Sequence, residues 1–247
     1  MVRNVDQGSR KRAVLAAAIN RYIQDPEPVS SEDIAREFSL SSATIRNIFA
    51  ELEENGYLTH PHTSAGRVPT VLGYRYYVDF LLSQIELLDE DKKRIVREYT
   101  REIKKMEDIL EKTSDVVAKL THYASIVSFL DWQDRYFYKG VSFVLEQPEF
   151  QDLKQIQLFI KMLEEKEELL CIINRDFKTD EKVRIYIGDE LGCAGINNCS
   201  LAVSSYNVNN RPVGRLAILG PMRMEYNHII PALEYVSGVL TDLLDEY

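Results

Sequence analysis

At 247 residues and 28.5 kDa the chain can bury a sizeable core and divide into two domains. A hydrophobic content of 45% with 28% charged residues is that of an ordinary globular protein, which excludes a disordered or fibrous chain. The formal net charge of −9 argues against a general polyanion binder, but it is unevenly spread. Residues 1–76 hold nine basic and nine acidic side chains, so residues 77–247 carry the whole excess. A neutral N-terminal module with clustered arginines can bind DNA if it is doubled, and an acidic remainder limits non-specific adhesion. Cys171, Cys193 and Cys199 are too few and too scattered for a disulfide framework. Cys193 and Cys199 have no histidine nearby and read as thiols rather than zinc ligands. The opening MVRNVDQGSRKRAV has no apolar signal core, and no apolar run approaches membrane-spanning length. The expectation is a cytoplasmic protein without membrane contact.

In chain order, Arg10-Lys11-Arg12 opens a helix to about Gln24, with Val14, Leu15, Ala18, Ile19 and Tyr22 on one face. Asp25-Pro26-Glu27-Pro28 breaks it. Ser30 with Asp33 resembles a capping box and starts a short helix to Phe38. After Ser39-Leu40, Ser41 and Ser42 are good N-caps for a third helix, whose buried stripe is Ile45, Ile48, Phe49 and Leu52. Gly56 is placed to end that helix in the left-handed conformation. Tyr57-Leu58-Thr59 and Arg67-Val68-Pro69 then bracket a polar tip and read as a strand pair. Three helices, a tight turn between the second and third, and a hairpin after the third predict a winged helix-turn-helix over residues 1–82. The bland alternative is a small helical domain with a hairpin attached.

The face of the third helix opposite its apolar stripe presents Ala43, Arg46, Asn47 and Ala50. Small residues allow close approach to a surface. Arginine and asparagine are the side chains that best pair with guanine and adenine edges. Glu51, Glu53 and Glu54 confine the approach to phosphate to the N-terminal half, which also offers the positive end of the helix dipole. The expected roles are therefore base reading by Arg46 and Asn47, with Ser42, Thr44 and Arg67 on phosphates and Ala43 at the surface. On the tip, His62, Thr63 and Ser64 are expected in the DNA-binding set, His60 and His62 are expected to contact backbone or cap the hairpin, and two histidines are too few ligands for a metal.

Thr70 starts a further helix through Tyr74, Tyr77, Phe80 and Leu81. A long linking helix is expected over 83–124. Its apolar positions Val96, Tyr99, Ile103, Met106, Leu110, Thr113, Val117, Leu120 and Ala124 keep a 3.5-residue repeat. The stripe can pack on the remainder of the chain or pair with a second copy; the sequence leaves both open. Residues 125–247 turn to mixed elements. Strands are expected at 125–129, 134–140, 169–174, 183–187, 200–206 and 214–219, with a hairpin loop at 207–211 and helices at 153–166 and 227–244. The fold class is α+β. No catalytic set is evident: His122 and His228 are isolated, and Asp189-Glu190 reads as a solvated turn. Ile187-Gly188-Asp189-Glu190-Leu191-Gly192 lacks a dinucleotide fingerprint. No enzyme activity and no cofactor are expected. Gly220-Pro221-Met222-Arg223-Met224 reads as a tight turn whose arginine braces an acidic surface.

Several runs are shared with a known family. Ser42-Ala43-Thr44-Ile45-Arg46-Asn47, Pro61-His62-Thr63-Ser64-Ala65-Gly66-Arg67-Val68-Pro69-Thr70 and Gly73-Tyr74-Arg75-Tyr76-Tyr77-Val78-Asp79 come from the N-terminal half. Pro148-Glu149-Phe150, Ile187-Gly188-Asp189-Glu190, Asn198-Cys199-Ser200 and Gly220-Pro221-Met222-Arg223-Met224-Glu225-Tyr226 come from the C-terminal half. Together they resemble the bacterial heat-inducible transcription repressor family HrcA. The resemblance implies a homodimeric repressor on an inverted-repeat operator upstream of chaperone genes. It also implies a GAF-like second domain over 125–247 and the chaperonin GroEL as the partner that keeps the repressor active. One departure is large: the family carries early strands and an inserted dimerisation domain between the counterparts of Val127-Ser128 and Tyr136–Val141, where this chain has only a few residues. The heptad helix then becomes the candidate for pairing. Smaller departures are Met222 for a usual threonine and Ile48-Phe49 for a Glu-Met type pair. A ligand-gated regulator, its second domain binding a small molecule, is the other function class the sequence allows.

Overall fold

A computed structural model describes residues 7–61, 66–82, 86–99, 106–131, 136–175, 181–193 and 197–245. The chain divides into two compact units, Met1–Ser83 and Gln84–Tyr247.

The first unit holds α1 (Gln7–Gln24), α2 (Ser31–Phe38), α3 (Ser42–Glu54), the strands β1 (Leu58–Thr59) and β2 (Val68–Pro69), and α4 (Val71–Leu81). The starts of α2, α3 and α4 are capped as the sequence predicts. Ser30, Ser41 and Thr70 accept bonds from the amides of Asp33, Thr44 and Gly73. Ser39 takes a left-handed conformation (φ 53°) and the Leu40 amide reaches back to the Ala35 carbonyl at 3.0 Å. This six-to-one closure turns the chain sharply from α2 into α3. Apolar faces of α1, α2 and α3 meet around Ile19, Ile34 and Ile45, each fully buried.

β1 and β2 pair antiparallel, Leu58 opposite Pro69 and Thr59 opposite Val68. A third strand-like contact flanks them: Val29 and Arg67 exchange both backbone hydrogen bonds at 2.9 Å. This pairing explains Gly66. A Cβ there would lie 2.4 Å from the Val29 carbonyl oxygen and 2.6 Å from that of Pro28, both backbone atoms that cannot swing away. Gly66→Ala is therefore expected to separate the hairpin base from Val29 and destabilise the unit by about 1–3 kcal/mol, the usual cost of an overpacked contact. Urea denaturation followed by far-UV circular dichroism would show it.

In the second unit α5 (Asp89–Tyr99) and α6 (Met106–Thr121) precede β3 (Ala124–Phe129), β4 (Tyr136–Lys139), α7 (Val141–Leu145) and a 3-10 turn at Pro148–Phe150. Then come α8 (Leu153–Glu164), α9 (Lys166–Asn174), β5 (Val183–Ile187), β6 (Cys199–Val208), β7 (Arg211–Pro221) and α10 (Tyr226–Asp245). Among the described residues five strands form one antiparallel sheet in the order β4-β3-β7-β6-β5. β6 and β7 are joined through Asn209 and Asn210, both at positive φ (51° and 60°), the conformation a two-residue hairpin turn requires. Successive side chains alternate between faces. Ala124, Ile126, Leu201, Val203, Ala217 and Leu219 share a core with Phe150, Phe159 and Met162. The opposite face meets α6 and α10, with the Tyr226 hydroxyl donating to Ser200 at 2.8 Å.

Two expectations are corrected. Residues 169–174 form not a strand but most of α9. A short apolar run cannot be assigned by periodicity alone. Here Leu169, Leu170, Ile172 and Ile173 are buried while Cys171 is exposed, a helical face rather than an alternating one. Glu167 and Glu168 in the first turn suit a helix N-terminus. The heptad helix also ends early: α6 stops at Thr121, His122 turns to φ 57°, and Ala124 opens β3. Leu110, Thr113, Val117 and Leu120 are buried within this unit, where α6 packs on β3, β4 and α10. The stripe is used inside the fold and is not available to a second copy. Among the described side chains of α5, Ile95 is buried and Val96 is 46% exposed; the Tyr99 side chain is not among those described. Ile103 lies outside the described residues.

Candidate nucleic-acid interface

α3 carries the face read from the sequence. Ile45, Ile48, Phe49 and Leu52 are buried, while Ala43, Arg46, Asn47 and Ala50 are exposed. Ser42 and Thr44 are half-buried at the first turn, and the Ser41 and Thr44 hydroxyls lie 2.8 Å apart. Capping thus fixes the helix end where a phosphate would approach.

The Arg46 guanidinium is held on α2. Its Nη2 donates to Glu32 Oε1 at 2.7 Å and its Nε to Ser31 Oγ at 3.2 Å. The hydrogen bond from Arg46 holds the Glu32 carboxyl below the usual carboxylate range. Arg67 stands at the hairpin base, with about a quarter of its side chain exposed and its Nη2 2.8 Å from Glu53 Oε2. Glu53 also receives Nδ1 of His60, and Glu51 receives Lys11. Lys11, Arg46 and Arg67 are thus each matched by a carboxylate, in keeping with the neutral balance of the module. Neither Glu32 nor Glu53 is assigned a partner by the sequence. Their partners lie on other elements, 14 residues away in each case, so no helical spacing announces them. His62, Thr63 and Ser64 lie outside the described residues.

Val29, Ser30, Ser31, Glu32, Arg46, Phe49, Gly66 and Arg67 line a cleft of about 380 Å³ between the start of α2, α3 and the hairpin base. It brings Arg46 and Arg67, 21 positions apart in sequence, to one concave surface.

The second unit has a different character. Arg223 is 8% exposed; its Nε donates to Glu149 Oε1 at 2.5 Å, and its Nη2 to Glu149 Oε2 at 3.2 Å and Gln147 Oε1 at 2.9 Å. The turn places this arginine as a brace, as the sequence reading has it. The sheet face that a small-molecule sensor would leave open is filled by Phe150, Phe159, Met162 and Leu163. Among the described residues no group of three or more His, Cys, Asp or Glu side chains is placed to hold a metal ion, and no helix is long and apolar enough to cross a membrane.

Two family models match the chain. Residues 7–78 match the winged helix-turn-helix transcription repressor, HrcA DNA-binding, and residues 128–230 match the HrcA protein C terminal domain. The chain belongs to the HrcA family. The heat-inducible transcription repressor HrcA of Desulforudis audaxviator is 28% identical over 336 aligned positions, covering 96% of this chain and 98% of the relative. That of Desulforamulus reducens is 28% identical over 337, covering 96% of each. Since 336 positions exceed the 247 residues here, at least 89 positions of the first relative face no residue of this chain. At the interval where the resemblance places the family's insert, β3 and β4 pair directly, Ser128 opposite Tyr136, so the sheet passes from one to the other. A crystal structure of a hypothetical protein at 2.2 Å resolution shares the fold, with a TM-score of 0.80, 18% identity, and coverage of 96% of this chain and 98% of that one.

Proposed function

We propose that this HrcA-family chain is a DNA-binding repressor of heat-shock genes, without enzymatic activity, acting in the cytoplasm as a homodimer on an inverted-repeat operator. The observation that carries the reading is the exposed Ala43-Arg46-Asn47-Ala50 face on a helix capped at both the turn and the hairpin. Arg46 and Asn47 read base edges in the major groove, Ser42 and Thr44 hold phosphates at the helix start, and Arg67 adds a phosphate contact from the hairpin base with the tip residues His62, Thr63 and Ser64. An inverted repeat follows from the smallness of one module: a single α3 reads only a few base pairs, and two copies related by a two-fold axis double that number. The names of the relatives supply the heat-inducible context. The family resemblance adds the chaperonin GroEL as the partner that keeps the repressor active.

The test is a gel shift with a duplex library carrying inverted repeats, with and without purified chaperonin, alongside light scattering for mass. Retention of one repeat by a dimer supports the reading; equal retention of all duplexes, or none, contradicts it. Arg67→Ala is expected to weaken binding to every duplex by a similar factor and to lower the slope of log affinity against log salt by about one per module. Titrations at several salt concentrations would measure both.

A further inference from the structure

We propose that Glu32, with Ser31, positions Arg46 for base reading, so that a residue outside α3 sets sequence selectivity. This rests on the repressor reading and adds to it a positioning residue on α2.

The contact is built rather than local. Glu32 and Arg46 are 14 residues apart on different helices, and they meet because the Ser39 turn folds the start of α3 against the start of α2. The two bonds engage one edge of the guanidinium, Nη2 at 2.7 Å to Glu32 and Nε at 3.2 Å to Ser31. Neither bond uses Nη1. The end-on edge, formed by Nη1 and the second Nη2 hydrogen, is the edge that can meet O6 and N7 of guanine together. A carboxylate that merely competed with DNA would be best placed on that end-on edge.

The pair contributes little to the fold. Its side chains are 66% and 53% exposed, and exposed pairs hold a structure weakly. Its consequence is for binding. An arginine fixed beforehand at two points loses less side-chain freedom when it meets a base. The Glu32 charge also repels every duplex alike through the phosphates. Orientation favours the matching site and so raises the ratio of specific to non-specific affinity, whereas repulsion weakens all sites by one factor and leaves that ratio unchanged.

The experiment uses the full chain and two probes: the inverted repeat selected by the wild type, and a scrambled duplex of the same composition. Glu32→Ala is expected to bind the scrambled duplex more tightly and to lower the selectivity ratio about three- to ten-fold, the size of a coupling between neighbouring side chains. Glu32→Gln keeps an acceptor for Arg46 without the charge; it is expected to tighten scrambled binding as much while keeping most of the ratio lost in Glu32→Ala. In an Arg46→Ala background the Glu32→Ala effect on the ratio should vanish. Far-UV circular dichroism checks that each variant is folded. A Glu32→Ala protein that binds both probes more tightly by one factor overturns the proposal, since Glu32 then only repels. A ratio effect that persists without Arg46 overturns it too. If Arg46→Ala alone leaves the ratio unchanged, both Arg46 as reader and Glu32 as its positioner fall. If the wild type selects no repeat at all, the repressor reading itself fails.

Discussion

Arg46→Ala is expected to remove about 1–3 kcal/mol of discrimination at each half-site, and so to relax the choice of one base pair in each arm of the operator. The loss should be concentrated in specific binding. Affinity for scrambled DNA should fall by a smaller factor, because the variant loses one positive charge and leaves Glu32, 2.7 Å from the guanidinium in the wild type, uncompensated on the face. With two modules on one operator the losses add, since the two arginines share no partner. Measured as the ratio of affinities for the selected and scrambled duplexes, this distinguishes a base contact from a phosphate contact. Equal weakening on both duplexes would assign Arg46 to the backbone. Asn47 is exposed beside it on the same helix and is expected to govern a neighbouring position in the same way.

Arg223→Ala is expected to have the largest effect on stability. The arginine is 8% exposed and fastens the Pro148–Phe150 turn to the end of β7 through Glu149 and Gln147. Removing it leaves the partly buried Glu149 carboxylate, its side chain 26% exposed, without this cation. Breaking such a pair by one partner costs more than the pair contributes, because the remaining charge has lost its water as well. About 2–3 kcal/mol is expected, which lowers the unfolding midpoint of the second unit by about 4–12 °C. Scanning calorimetry of the full chain would resolve it from the first unit. Glu149→Gln should cost less, since the amide oxygen still accepts from Arg223. DNA selectivity should be unchanged in both variants, because neither residue belongs to the DNA-binding module.

Local chemistry made the first unit legible. Ser30, Ser41 and Thr70 cap helices where the spacing places them, Gly56 closes α3 at φ 76°, and the stripe from Ile45 to Leu52 is buried. Each of these signals acts within one or two helical turns. The misreadings lie where burial alone decides. Leu169–Ile173 is apolar enough for either a strand or a buried helix, and only its neighbours make it α9. The α6 stripe has a coiled-coil spacing because it meets the flat face of a sheet and α10, which select the same residues as a second helix would. The candidate site was half legible. The outward residues of α3 follow from periodicity, but the carboxylates holding Arg46 and Arg67 come from elsewhere in the chain. Pairings of that kind are set by tertiary structure, and no pattern in the sequence encodes them.

In the proposed repressor, two copies of α3 read the arms of an inverted repeat in the major groove. Methylation interference on the selected operator tests it most directly, because methylation of guanine N7 blocks the major-groove edge that Arg46 is expected to meet. Two patches of interference related by the two-fold axis of the repeat are expected, with loss of the strongest guanine signal in each patch in Arg46→Ala. A single patch, or interference that Arg46→Ala leaves unaltered, would contradict it.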